Sequence, residues 1–365
     1  MDRLKWRHFD YWLMAALILL LLLGLAMVYS ATRNTEGLED STRRQAVFIV
    51  IGLVLLLAVA TVDYGLLEPI TGVIYALMIV TLVAVLIIGR VTHGAQRWID
   101  LGFMLFQPSE FAKVSLVLFL AGLFSGRKDQ IRSGRTFLLS LGATLLPMAL
   151  VYVQPDLSTA LILGAIWLGM AAIAGVRFLY IGGLGAAGLV AAPAIWLLLH
   201  DYQRQRILTF LNPGADPQGA GYNVGQALIA IGSGGWFGQG FASGTQSQLH
   251  FLRVRHTDFI FSVLAEELGL AGSVMLFVLL GFLLWRIIRA AGMARDTFGE
   301  YIAAGMATLI FVQSTVNIAM NMSLIPTTGV PLPFISFGNN ALLALLLGLG
   351  MVESVALRHK KLDFV

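Results

Sequence analysis

The sequence predicts an all-α polytopic integral membrane protein of about ten transmembrane helices with a large extracytoplasmic loop at 201–257. Three observations carry that prediction. Of 365 residues, 58% are hydrophobic and only 12% charged, about half the ~25% charged share of a soluble domain. Mean hydropathy is +0.83. Apolar runs long enough to cross ~30 Å of hydrocarbon, roughly 17–25 residues each, recur along the whole chain.

The runs lie near 11–29, 46–62, 70–89, 108–124, 136–153, 157–174, 178–199, 259–288, 301–320 and 334–355. The first is too long for a secretory signal core and lacks a small-residue cleavage site, so it is expected to stay as a membrane helix. With the N-terminus inside and spans alternating, the short inside segments collect 14 of the 24 basic residues: Arg3, Lys5, Arg7, Arg127, Lys128, Arg132, Arg135, Arg177, Arg286, Arg289, Arg295, Arg358, Lys360 and Lys361. The positive-inside rule then places both termini in the cytoplasm. The basic balance reflects this topology, and no nucleic-acid partner is expected. There is no cysteine, so neither a disulfide nor a thiol nucleophile contributes. No internal repeat points to an inverted-repeat transporter.

The long connections fall outside: 201–257, 90–107 and the Pro-rich 322–333. Loops beyond ~12–15 residues are usually functional. Within the longest, Val224, Leu228 and Ile231 form an apolar stripe suited to a short helix on the membrane surface. Glycines from 232 to 244 then permit tight turns. Pro326, Pro331 and Pro333 with Gly329 read as a kinked lead-in to the last span, because irregular backbone at membrane depth survives only inside protein or beside a wet cavity.

Ionisable and polar residues at membrane depth are costly and face a partner or a cavity. Glu110 and Lys113, three apart, share a helix face as a structural ion pair or as a cleft wall. Asp156 follows Pro155 at a helix start, where a carboxylate caps free N–H groups. Gln313, Asn317 and Asn321 form one polar stripe, as interhelical glue or as a cavity lining. In "RVRHTDFIFSVLAEELGLAG", residues 253–272, Thr257 or Asp258 suits the N-cap of the eighth span. Glu266 and Glu267 follow roughly 12–13 Å down the helix and about 100° apart; one is placed to pair with Lys113 and the other to line a pocket. A partly wet carboxylate beside arginines also suits general-base work, and at this point capping and catalysis both stand.

Ordered motifs over nearly the full length carry a resemblance: "YSAT" at 29–32, "RWIDLGFMLFQPSEFAK" at 97–113, "QPDLSTA" at 154–160, "YQRQRILTFLNP" at 202–213, "GAGYNVGQALIAIGSGG" at 219–235, "GTQSQLHFL" at 244–252, "HTDFIFSVLAEELG" at 256–269 and "PTTGVPLPFISFG" at 326–338. The chain resembles the SEDS family (shape, elongation, division and sporulation) of membrane glycosyltransferases, and the "GTQSQL" run favours its RodA-type, cell-elongation branch. The resemblance implies ten membrane helices, an outward-facing cavity in the bacterial cytoplasmic membrane, and lipid II as substrate. It carries over Asp258 of the "HTDF" motif as the catalytic residue. Two departures stand out: Arg253-Val254 replaces a frequent Pro-Glu, and Phe337-Gly338-Asn339-Asn340 replaces Tyr-Gly-Gly-Ser.

The chemistry so implied joins two lipid-linked sugars with loss of undecaprenyl pyrophosphate, so cations are needed where the leaving group gathers charge. The candidates are Lys113, Arg97, Arg204, Arg206, Arg255 and His256, with a divalent cation, Mg2+ or Mn2+, bridging phosphates and a carboxylate. Glu110, Asp156, Glu266, Glu267, Asn317 and Asn321 are the candidate cavity lining. The expected partners are the bilayer, a class B penicillin-binding protein transpeptidase and other elongation-complex membrane proteins. A lipid II flippase is the rival reading and a recruiting scaffold a third; both fit poorly with polar chemistry clustered on the outer side.

Overall fold

A computed structural model describes residues 8–33, 35, 37–92, 95–102, 104–212, 220–249, 251–252 and 254–359. Of the basic residues used for orientation, Arg3, Lys5, Arg7, Lys360 and Lys361 lie outside these, as do Arg253 and part of the 201–257 loop. The chain is a helical bundle: α1 (Tyr11–Thr32), α2 (Ser41–Thr61), α3 (Thr71–Ile88), α4 (Pro108–Ser125), α5 (Gly134–Val153), α6 (Leu157–Ala174), α7 (Phe178–Leu198), α8 (Asp201–Leu211), α9 (Ala220–Ser233), α10 (Thr245–Gln248), α11 (Ile260–Gly292), α12 (Thr297–Asn321) and α13 (Asn339–Leu357). Among the described residues nine helices are long and apolar enough to cross a membrane, and α7 adds a shorter apolar stretch, Phe178–Ala194. They follow the expected apolar runs in order, nine of them long enough to span and the run at 178–199 shorter than the rest. A helix satisfies its own backbone polar groups in oil, which is why apolar length alone locates them.

Helix ends follow local chemistry. The Asp10 side chain accepts from the Leu13 N–H at 2.9 Å, Ser133 caps α5 and Asp296 caps α12. Pro108 opens α4, where its missing N–H costs nothing.

The bundle has an inner and an outer set of helices. In the apolar stretch of α13, 78% of residues are buried, against 22% for α2 and for α3, whose other faces are left for lipid. The inner helix α12 packs on α4, α6, α11 and α13. Close approach is bought with small residues: a Cβ at Gly24 of α1 would lie 2.3 Å from the Phe334 carbonyl oxygen, so glycine there lets the kinked 330–337 segment press against α1.

One end of the bundle gathers both described chain ends. The His8 and His359 rings are 4.4 Å apart, Arg286 pairs with Asp10 at 2.6 Å, Tyr64 Oη donates to Asp296 at 3.0 Å, and the Ser125 and Thr297 hydroxyls meet at 3.1 Å.

Three features depart from the expected layout. Residues 90–107 hold a small antiparallel sheet: β1 (Arg90–Thr92), β2 (Ala95–Asp100) and β3 (Leu105–Phe106), in that order. Secondly, α9 forms where a surface helix was expected but packs on α11 through Ala227 and Ala230, which are fully buried. The proposed stripe is therefore corrected: Leu228 is exposed, because small residues allow closer helix contact than leucine does. Thirdly, α11 is broken at Gly269 (φ 66°, ψ −160°). At the break, Leu270 and Ala271 N–H groups donate to the Gly235 and Trp236 carbonyls, while Gln239 and Gly240 donate to the Glu266 and Glu267 carbonyls. The glycine-rich 234–240 backbone is thus laced into the helix. Only glycine fits at 238, where a Cβ would lie 2.1 Å from the Glu267 carbonyl oxygen.

Candidate active site

A cavity of about 950 Å³ opens at the other end of the bundle, between the sheet, the start of α4, the start of α6, the loop before α11 and the 329–341 segment. Asp258 lines it, on the turn leading into α11. That turn is fixed from behind by the polar stripe of α12. Asn317 Nδ2 donates to the Asp258 carbonyl at 3.0 Å and to the Val330 carbonyl at 2.7 Å. Asn321 Nδ2 donates to the same Asp258 carbonyl at 3.0 Å, and Gln313 Nε2 to Pro331 at 3.1 Å. The second wall is tied to the first by Phe337 N–H donating to the His256 carbonyl at 2.9 Å and Ser336 Oγ donating to Thr257 at 2.6 Å. Interhelical glue is what the stripe does, and its function is to hold two non-helical segments in register. Asn317 and Asn321 stand behind the cavity wall rather than in it.

The Asp258 side chain is half-buried. Burial pushes its carboxyl above the ordinary range, while a hydrogen bond from the Thr257 side chain and the charge of Arg206 pull it back. Residue 329 is a glycine with φ 73°, and a Cβ there would sit 3.5 Å from Asp258 Oδ2, so the space over the carboxylate is kept open. Neither Thr257 nor Asp258 is the N-cap: Phe259 holds that position and makes no side-chain cap. The capping reading is corrected accordingly.

The other cavity carboxylates are neutralised. Glu110 pairs with Lys113 Nζ at 2.8 Å, and Lys113 also donates to Gln313 Oε1 at 3.2 Å. Both line the cavity, so this is an ion pair and a cleft wall together. Asp156 accepts from Thr159 N–H at 3.2 Å, which caps α6, and lies 3.6 Å from Arg97 in the same wall. Arg97 Nε also donates to the Gln154 carbonyl at 3.0 Å. Arg90 pairs with Asp100 at 2.6 Å; Asp100 is held below the usual carboxylate range by the Gly102 N–H and by Arg90. Asp258 is thus the one carboxylate lining the cavity without an ion pair among the described residues.

Several expected site residues sit elsewhere. Arg204 donates to the Trp196 and Leu197 carbonyls at 3.1 and 2.8 Å, satisfying the end of α7. Arg255 is buried and donates to the Ala31 carbonyl and Thr35 Oγ1, both at 2.6 Å, tying the turn to the end of α1. Both are corrected from phosphate ligands to carbonyl caps, a common use of a cation at a helix C-terminus. Arg206 reaches the Thr327 and Thr328 carbonyls and is the cation nearest in effect to Asp258. His256 lines the cavity, but burial and Arg255 push its imidazole down. That shift favours the neutral imidazole, which makes His256 a poor cation for a diphosphate.

Glu266 and Glu267 are fully buried away from the cavity and do not touch Lys113. Glu266 accepts from the Gln246 and Ser247 N–H groups at 2.7 and 3.1 Å. Glu267 accepts from Ser30 Oγ at 2.5 Å and Ala242 N–H at 3.0 Å. They are anchors for the 234–248 loop, which corrects their assignment as cavity lining. Residues that sequence reasoning missed include Arg44, an exposed cation at the cavity from α2. Asn340 is another; it fixes the sheet by accepting from Gln107 N–H and donating to Leu105 O. A charge at the outer end of a span was the available signal for Arg44; for Asn340 it was the departure from Tyr-Gly-Gly-Ser at 337–340.

The divalent ion was tested against the donors present. No group of three His, Asp or Glu side chains is placed to hold a metal among the described residues, and three of the four cavity carboxylates already face cations. Among the described residues, the protein's own donors do not form a metal cage.

Comparison with known proteins matches this arrangement to relatives. The peptidoglycan glycosyltransferase MrdB of Escherichia coli (strain K12) is 41% identical, covering 98% of this chain and 95% of its own. Stage V sporulation protein E of Bacillus subtilis (strain 168) is 36% identical, covering 95% and 96%. Among solved structures, a chain from a peptidoglycan synthase complex that coordinates polymerization and crosslinking superposes with TM-score 0.82 at 32% identity, covering 95% of this chain and 97% of that one. The rod shape determining protein RodA of Thermus thermophilus gives TM-score 0.73 at 28% identity, covering 97% and 98%. The FTSW_RODA_SPOVE model, described as cell cycle protein, matches residues 11–361. The chain is a multi-pass membrane protein that belongs to the FtsW/RodA/SpoVE family.

Proposed function

We propose that this chain is a peptidoglycan polymerase that joins lipid II units into glycan strands, with Asp258 as general base. The observation that carries the reading is the isolation of Asp258: a carboxylate facing a cation-rich cavity without a cation of its own, its pKa raised by burial. A base that is too acidic takes protons poorly, so the shift moves Asp258 toward useful work. The acceptor GlcNAc 4-hydroxyl forms a bond to the donor's anomeric carbon, the bond to the diphosphate breaks, and the hydroxyl proton passes to Asp258. Undecaprenyl pyrophosphate leaves, and the anomeric centre inverts. Lys113, Arg97, Arg206 and the missed Arg44 supply the nearby positive charge.

The cavity opens to the cell exterior in this reading, with both termini in the bacterial cytoplasm. Arg127, Lys128, Arg132, Arg135, Arg286, Arg289, Arg295 and Arg358 cluster toward the end opposite Asp258, as the positive-inside rule requires. A class B penicillin-binding protein supplies the crosslinking partner, docking through its single membrane helix among other elongation-complex membrane proteins. The relative drawn from a synthase complex supports this. The test is reconstitution of purified chain with lipid II, following polymer formation and leaflet translocation in parallel. Asp258→Asn is expected to lose polymerisation by roughly 10²–10⁴-fold while folding normally. Retained turnover removes Asp258 as the base, and translocation without polymer favours the flippase.

A further inference from the structure

A second concavity, of about 300 Å³, lies between α4 and α5 and is lined by Gly126, Arg127, Asp129, Gln130 and Arg135. It belongs to the end of the bundle where residues 8 and 359 meet, since Ser125 at the end of α4 touches Thr297 there. Its backbone is preformed: Gln130 N–H donates to the Arg127 carbonyl at 2.8 Å, Ser133 N–H to Gln130 at 3.0 Å, and Thr136 Oγ1 to Gln130 at 2.9 Å.

Two properties separate this turn from an ordinary basic loop. Arg127, Lys128, Arg132 and Arg135 have no ion pair among the described residues, although Asp129 stands in the same wall. Elsewhere on this end Arg286, Arg295 and Arg358 are ion-paired, whereas Arg289 of α11, which rests on the Trp285 ring, and Arg177, just before α7, are single charges on separate parts of the chain. The concavity also borders lipid-facing surface. Leu138 is 65% exposed on α5, and Phe178 and Leu179 on α7 are 76% and 79% exposed. The Tyr180 ring packs on Phe137 at 5.2 Å, which brings the first turns of α5 and α7 side by side. Positive charge in a hollow, a carboxylate beside it and exposed apolar side chains on the adjoining helices describe one kind of ligand.

We propose that this hollow binds a phospholipid whose phosphodiester headgroup bears free hydroxyls, as in phosphatidylglycerol. Arg127 and Arg135 take the phosphate, since a guanidinium presents paired donors to phosphate oxygens. Asp129 accepts from the headgroup hydroxyls, which phosphatidic acid lacks. The acyl chains lie along Leu138, Phe178 and Leu179.

The experiment uses the full chain in nanodiscs of dioleoyl-phosphatidylcholine mixed with dioleoyl-phosphatidylglycerol, reading retained lipid by native mass spectrometry. Wild type is expected to retain phosphatidylglycerol over phosphatidylcholine. Arg127→Gln and Arg135→Gln are each expected to weaken retention about fivefold, the worth of one cation at an anionic lipid surface. Arg135→Lys keeps most of it. Arg289→Gln, an exposed charge on the same end, leaves retention unchanged, and Asp129→Asn abolishes the preference for phosphatidylglycerol over phosphatidic acid. Equal retention by wild type and both glutamine variants overturns the proposal, as does an equal loss in Arg289→Gln, which indicates diffuse charge. Displacement by inorganic phosphate at the lipid's own concentration also overturns it, because the acyl chains then contribute nothing.

Discussion

Replacing Asn317 and Asn321 by leucine, of closely similar shape, tests whether the α12 stripe positions the base. In Asn317→Leu the Val330 carbonyl loses its donor, but the Asp258 carbonyl keeps Asn321 at 3.0 Å. In Asn321→Leu the Asp258 carbonyl keeps Asn317, also at 3.0 Å, while Ser262 Oγ loses its acceptor at 2.7 Å. Each single change leaves one or two buried groups unsatisfied, at a cost of about 1–3 kcal/mol for each such group. The double variant alone strips the Asp258 carbonyl of both side-chain donors, so its destabilisation should exceed the sum of the singles by about 1–3 kcal/mol. Thermal unfolding of the four proteins measures that coupling. Polymerisation from purified lipid II should fall in kcat rather than KM, because a base misplaced by ~1 Å costs on the order of 10²-fold. Additivity within about 0.5 kcal/mol, with kcat preserved in the double variant, would falsify the positioning role.

Arg206→Gln removes a charge that lowers the Asp258 pKa; the base must be deprotonated, so the acidic limb of the pH–rate profile should move to higher pH, and an unmoved limb separates the two residues. Lys113→Met strands Glu110, itself 5% exposed, and should cost about 3–5 kcal/mol. Glu110→Gln added to Lys113→Met should recover most of that stability in thermal unfolding but not polymerisation; recovery of both would show that Lys113 serves only the pair. Glu267→Gln keeps the shape but weakens the hydrogen bonds that the carboxylate accepts from Ser30 Oγ, Ala242 N–H and Ser247 Oγ, by about 1–3 kcal/mol together. Proteolysis within 234–248 should accelerate while lipid II binding holds, and unchanged cleavage would count against the anchoring role.

The spans were legible because hydrophobic length is a property of composition, and lipid punishes any other backbone arrangement. The break at Gly269 was not, because "EELGLAG" reads as continuing helix until the 234–240 backbone is laid against it. The sheet at 90–107 escaped notice because its strands are only 3, 6 and 2 residues long, too short for an alternating pattern to stand out from loop. At the site, Asp258, Lys113, Arg97 and Asp156 line one cavity as expected: Asp258, Lys113 and Asp156 lie at the starts of α11, α4 and α6, and Arg97 lies in β2 beside them. Arg204 and Arg255 were misplaced because sequence gives a charge without a direction, and both turn toward the carbonyls ending a neighbouring helix. Glu266 and Glu267 misled for a related reason. Buried carboxylates look catalytic until the loop amides that occupy them are seen.

The α12 amides grip residue 258 by its carbonyl, and among the described residues no ion pair ties down its side chain. In the proposed reaction, a spine fixed in this way holds the base in one place while it takes a proton from one sugar and sheds it to water before the next arrives. A strand of many sugars can then grow on a rigid scaffold.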